Sequence, residues 1–113
     1  MADEFFIVDL RREFRGKPYI TFWRPKNANY AYPLPWSGRY LRADIDAAGG
    51  YYAAKEGRSL VRFAVPCEVA ERLGSPPGPG MVDGDVGPVV VNNAANRKAL
   101  REAAVNAAFA RAV

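Results

Sequence analysis

Apolar positions fall in short runs along this chain, and the first run is the densest. Glu4-Phe5-Phe6-Ile7-Val8-Asp9-Leu10 is bulky, β-branched or aromatic through its middle and reads as a first strand. Charged residues 11–18 come next and close on Gly16, Lys17 and Pro18, as a hairpin-like connection would. Residues 19–23 read as a second strand, with Ile20 and Phe22 on one face and Tyr19, Thr21 and Trp23 on the other. Pro25 has no N–H to give a ladder, so this strand ends at about Arg24. Lys26-Asn27-Ala28-Asn29 is turn chemistry, because asparagine tolerates left-handed backbone.

Further along, residues 30–34 predict a short strand that Pro33 and Pro35 place at an edge or a bulge. Leu41, Ile45, Ala48 and Tyr52 form a helical stripe, predicting a helix over residues 41–54 that packing carries through Gly49-Gly50. Residues 60–65 predict another strand. Pro66 then opens a short helix over 67–73, with Gly74 beyond its end. Residues 74–88 hold five Gly and four Pro and read as an ordered loop wrapping the domain. Val89-Val90-Val91 adds a brief strand, and Asn93 or a neighbour caps a final helix over 95–112. The sum is one α+β domain over residues 1–113: a small antiparallel sheet of three to five strands with two or three helices packed on one face.

Composition sharpens this picture mainly by exclusion. Half the residues are hydrophobic, enough for one core. No run of about 18 apolar residues occurs, so no membrane span is expected. The acidic start Met1-Ala2-Asp3-Glu4 is unlike a signal peptide, which points to the cytoplasm. With one cysteine and no histidine, no intrachain disulfide, Ser-His or Cys-His system, or histidine metal site can be built. Cys67 would start a helix, but without an activating base it reads as a buried structural thiol.

Charge changes the picture most. The net +4 conceals eight Lys/Arg against one acid over residues 11–42, a local +7. In this segment Trp23, Tyr30, Tyr32, Trp36 and Tyr40 alternate with Arg24, Lys26, Arg39 and Arg42. Rings beside arginines are the composition of binding hot spots, and of grooves that stack single-stranded nucleic acid. The plainer alternative makes Phe22, Trp23 and Trp36 core and the cations a solvated face.

The remaining motifs carry less chemistry. Asp83-Gly84-Asp85-Val86-Gly87 echoes a calcium loop faintly, but Gly87 stands at its fifth position and no glutamate stands at its twelfth, so a turn is expected. The Gly/Pro loop has no Lys-Ser/Thr after it, and its prolines remove the donors a phosphate cradle needs. On the last helix, Val105, Phe109 and Val113 form one row and Leu100, Ala104 and Ala108 a second. Core packing explains both, and a homodimer seam is the alternative.

Ile20-Thr21-Phe22-Trp23-Arg24-Pro25, with Tyr30 and Leu34-x-x-Ser37-Gly38-Arg39-Tyr40, resembles a W-W-R-P…G-Y…A-G-R-Y type segment of small uncharacterised phage and prophage proteins. Tyr51-Tyr52, Val65-Pro66-Cys67 and residues 81–90 are similar to the downstream part of the longer members, so the likeness covers roughly residues 19–92. Phe22, Asn29 and Ser37 depart from a usual Trp, Gly and Ala. The resemblance implies a setting, a mobile element in a bacterial host, and no activity.

The expectation is therefore a non-enzymatic binding protein without cofactor or metal, a candidate inhibitor of a host defence system of the anti-CRISPR type. Trp23, Tyr30, Tyr32 and Trp36 are its expected anchors, and Arg24, Lys26, Arg39 and Arg42 its charge contacts. Its partner would be an acidic protein surface or a nucleoprotein complex of the host. Direct binding of nucleic acid is the first alternative, and a small enzyme acting on a nucleotide-like substrate is the second.

Overall fold

A computed structural model describes residues 4–105. Its centre is the first strand, β1 (Glu4–Asp9), whose residues after Glu4 are all buried. Such a strand needs partners along both edges and cover on both faces, and it has them.

Along one edge of β1 runs a long antiparallel partner, Ser59–Pro66, in register from Phe5↔Pro66 to Asp9↔Arg62. The other edge is shared. Thr21–Trp23 (β2) takes its end through Val8↔Phe22 and Asp9↔Thr21. Tyr40–Leu41 (β4) takes its start through Glu4↔Leu41 and Phe5↔Tyr40. Tyr30–Ala31 (β3) lies outside β2, and Ala53–Glu56 (β5) lies outside Ser59–Pro66 (β6), completing a six-stranded sheet. Gly74–Ser75 (β7) and Val89–Val90 (β8) pair separately. The Ile20 N–H donates to Val90 O at 2.8 Å and joins this ribbon to the end of β2.

The alternation in β1 sorts the core. Phe6 and Val8 face Ile20, Phe22, Phe63 and Val65, covered by Cys67 and Ala70 of helix α2 (Cys67–Arg72) and Leu100 of helix α3 (Ala94–Glu102). Phe5 and Ile7 face Trp23, Tyr40 and Ala64 on the opposite side, with Ile45 of helix α1 (Arg42–Ala47). The α+β class is as expected. The sheet carries six strands, and α1 lies on the face away from α2 and α3.

One expected helix is much shorter. In place of residues 41–54, α1 stops at Ala47, Gly49 takes φ 59°, and Gly49–Tyr52 form a 3-10 turn. Residues 53–56 then form β5, which the helical stripe hid. Glycine's freedom at positive φ ends the helix here. The hairpin with β6 then outweighs the helix propensity of Ala53-Ala54-Lys55-Glu56.

The third strand is likewise shorter than 30–34 but sits at the sheet edge as expected. Asn93 caps α3, its side-chain oxygen accepting from Asn96 N–H at 2.8 Å. Leu100 and Ala104 of the proposed seam pack into the core, while Ala108, Phe109 and Val113 fall outside the described residues. No helix among the described residues is long and apolar enough to cross a membrane.

Candidate functional site: an aromatic and cationic cleft

The face of residues 19–23 turned away from α2 and α3 carries the row Tyr19, Thr21, Trp23, all three buried. At one end Trp23 meets its cross-strand neighbour Tyr30 edge-on, with centroids 5.4 Å apart. At the other end Tyr19 meets Tyr32 edge-on at 5.6 Å. The small Thr21 lies between these pairs, so the face is hollow there. The hollow opens into a cleft of about 330 Å³. Phe14, Tyr30, Tyr32, Trp36 and the buried Thr21 line it together with the half-buried Arg24 and the exposed Lys17, Met81 and Asp83.

Each wall is held from behind. Phe14 packs on Tyr30 at 4.8 Å, and its loop is tied down by the Asn92 side-chain N–H groups, which donate to Arg15 O and Lys17 O. Arg24 donates from Nε to Tyr30 O at 2.9 Å and lies 5.4 Å over the Trp36 ring. Trp36 sits on a 3-10 turn, Leu34–Trp36, fixed by Leu34 N–H donating to Pro88 O at 2.9 Å. The 74–88 loop brings Val82 against Tyr19 and Val89 and leaves Met81 half exposed above the opening. Tyr19 Oη accepts from Gly78 N–H at 2.7 Å and anchors that loop. Burial pushes the Tyr32 phenol above its ordinary value.

Thr21 is the anomaly of this lining. It is almost wholly buried, and its hydroxyl oxygen is the one buried side-chain polar atom without a hydrogen-bond partner among the described residues. An unmade hydrogen bond of this kind costs about 1–3 kcal/mol.

The expected anchors and charges do not form one continuous patch. Trp23 is only 6% exposed and donates its indole N–H to the buried Asp9 carboxylate at 3.0 Å. Arg11 clasps the same carboxylate from Nε at 2.9 Å and Nη2 at 2.7 Å, and Nη2 also reaches Tyr30 Oη at 2.9 Å. Asp9 thereby raises the guanidinium pKa still further. Trp23 is thus a core side chain in a polar network, because a buried carboxylate needs donors on every side.

Arg39 and Arg42 are committed elsewhere. Arg39 bridges Glu71 at 2.6 Å and Glu4 at 3.3 Å and lies over the Phe6 ring. Arg42 pairs with Asp46 at 3.3 Å and lies over Phe5. Lys26 borders a second, more polar hollow with Asn27, Arg39, Tyr40, Asp44 and Tyr52. There Lys26 and Asn27 both take left-handed backbone, with Asn29 at φ 92°. Tyr52 donates its hydroxyl proton to Asn27 Oδ1 at 2.9 Å, and Tyr40 Oη accepts from Asn27 N–H at 2.9 Å. That hollow is a locked turn.

The cleft therefore keeps Arg24, Tyr30, Tyr32 and Trp36 of the expected set and adds Phe14, Lys17, Thr21, Met81 and Asp83. Of these, only Thr21 left a signal in the sequence, as the small residue between two rings on one strand face. Asp83 lies in the expected turn, where Asp85 accepts from Gly80 N–H at 2.9 Å. Cys67 is buried as expected, and burial pushes its thiol up to about 11. Among the described residues no group of three or more His, Cys, Asp and Glu side chains is placed to hold a metal ion. Comparison of the chain with family models, curated proteins and solved structures returns no match.

Proposed function

We propose that this chain is a non-enzymatic binding protein and that the Trp36–Arg24 cleft is where it grips an anionic partner. One observation carries the reading. Arg24 and Lys17 line a hollow together with four aromatic rings, and neither pairs with a carboxylate among the described residues. Arginine stacked on an indole is already oriented, so little freedom is lost when its remaining N–H groups meet an anion. Arg39 and Arg42, expected as contacts, are neutralised in place and contribute less.

The setting, a mobile element in a bacterial host, rests on the resemblance of residues 19–92, and inhibition of a host defence system rests on that setting together with the local +7 of residues 11–42. A photo-crosslinking side chain at Tyr32 tests the reading in cells. An adduct is expected that fades when Arg24→Ala is added and is absent when the crosslinker replaces Arg58 in the β5–β6 turn. Equal adducts from both positions, insensitive to Arg24→Ala, would overturn it.

A further inference from the structure

We propose that Arg97 and Arg101 of α3, with Arg15 beside them, form a second anion site that takes one phosphate monoester. The site shares no lining residue with the Trp36–Arg24 cleft and stands independently of it. Its frame is one end of the β1–β6 pair. Leu10 N–H donates to Val61 O at 2.6 Å, which brings Leu10 alongside the start of β6. Arg15 Nε donates to Leu10 O at 3.3 Å, and Arg101 Nε donates to Leu60 O at 3.0 Å. Two guanidinium groups from distant segments are thus fixed at the same end of the sheet. Arg97 stands one helical turn before Arg101, a spacing that puts both on one helix face. It donates from Nη1 to Asn92 Oδ1 at 2.7 Å. The same Asn92 side chain holds the basic loop through Arg15 O and Lys17 O. Arg97 and Arg101 line a hollow of about 400 Å³ with Ala94, Lys98 and Glu102.

These two arginines are placed but not neutralised. Arg15 pairs with Glu56, and Lys98 takes Glu102 at 3.1 Å. Neither Arg97 nor Arg101 pairs with a carboxylate among the described residues. Their fixed bonds end on neutral oxygens, which orient a guanidinium without cancelling its charge. Both Nη groups of Arg101, and Nε and Nη2 of Arg97, have no acceptor among the described residues. The crowding registers at Arg101, where burial and then the charges of Arg15 and Arg97 lower the pKa. Like charges one turn apart oppose helix formation, and an anion between them removes that penalty. The class of anion follows from charge and oxygen count. A carboxylate brings one charge and two oxygens. Two carboxylates would cancel both guanidiniums but repel each other. A phosphate monoester brings nearly two charges and three acceptor oxygens in one group, and arginine forks take such oxygens in pairs. A phosphodiester brings one charge and leaves half of the excess standing.

The test is an NMR titration of the full chain that follows the side-chain N–H signals of Arg97 and Arg101. The probes are glycerol phosphate, dimethyl phosphate, acetate, and a short glycine peptide carrying a central phosphoserine or a central glutamate. Glycerol phosphate and the phosphoserine peptide should shift both signals and bind at least about tenfold more tightly than the diester, acetate or the glutamate peptide. Equal binding of the two monoesters identifies a free phosphate compound as the source, and a much tighter peptide identifies a phosphorylated side chain. Arg97→Gln and Arg101→Gln should each weaken the monoesters about tenfold, whereas Arg24→Ala should leave them unchanged. A diester or carboxylate that binds as well as the monoesters reduces the site to general attraction of counter-ions and overturns the assignment. So does a folded Arg97→Gln or Arg101→Gln protein that binds as wild type does, or a loss of binding on Arg24→Ala. None of these results touches the Arg24-dependent crosslink at Tyr32, so the cleft reading stands or falls separately.

Discussion

Trp23 and Trp36 lie in the same ring-rich segment, and the fold treats them in opposite ways. Around Trp23 every polar group is matched. The indole N–H and the Arg11 fork both serve Asp9, and the Tyr30 hydroxyl closes the set. Around Trp36 the groups are held but not exhausted. Arg24 has its backbone N–H and Nε used and no carboxylate paired with it among the described residues, and the Thr21 hydroxyl stays unmatched. Aromatic and basic composition alone therefore does not mark a binding surface. What separates these two regions is whether the polar atoms among the rings have already been used internally.

Asp9→Ala should disturb this contrast most. It leaves the Trp23 N–H and the Arg11 guanidinium without their acceptor, and loss of one partner of a buried pair costs about 3–5 kcal/mol. Urea unfolding should show that loss, whereas Trp36→Ala should stay within about 1 kcal/mol of wild type. Equal costs would erase the distinction. Gly38→Ala comes next, at the junction of the two regions. Its Cβ would stand 2.8 Å from Pro25 Cα and 2.7 Å from Tyr40 Cε1. Backbone cannot yield as a side-chain tip does, so roughly 1–3 kcal/mol of destabilisation is expected in the same assay.

Thr21→Val should go the other way, raising stability by about 1 kcal/mol as the orphan hydroxyl disappears. A lower melting temperature would mean that the hydroxyl is satisfied inside the fold. The smallest effect is at alkaline pH, and it is shared by both faces of the sheet. Burial favours the protonated Cys67 thiol, whose ordinary value near 9.0 rises to about 11, and it raises the Tyr40 and Tyr52 phenols too. The folded state therefore holds protons that the unfolded chain has released. The thiol's contribution is complete below pH 9.0 and is lost as pH rises to about 11. Unfolding curves should show that decline, and Cys67→Ala should flatten part of it.

Much of the sheet was legible because its signals are local. The alternation in residues 19–23 assigned both faces of β2, and the prolines placed β3 at an edge. Strand β5 was not legible. Ala53-Ala54-Lys55-Glu56 lacks β-branched residues and continues a helical stripe, and only pairing with β6 makes it a strand. For the site, the ring-rich walls could be read from sequence. Its Phe14, Lys17, Met81 and Asp83 could not, since loops far apart in the chain meet there only after the β2–β8 junction forms. Nor could the fate of the cations, because Glu4 and Glu71 reach Arg39 only across the folded sheet.

The placement of β1 also matters during biosynthesis. This strand leaves the ribosome long before β6, the neighbour that pairs with it from Phe5 to Asp9. At about 5–20 residues per second, the roughly 50 intervening residues take ~3–10 s to appear. Throughout that wait Phe5-Phe6-Ile7-Val8 lacks this partner, and the flanking Asp3, Glu4 and Asp9 discourage association with other nascent chains. Asp9 thus acts twice, first as a gatekeeper on the emerging chain and later as the acceptor around which Trp23 and Arg11 settle.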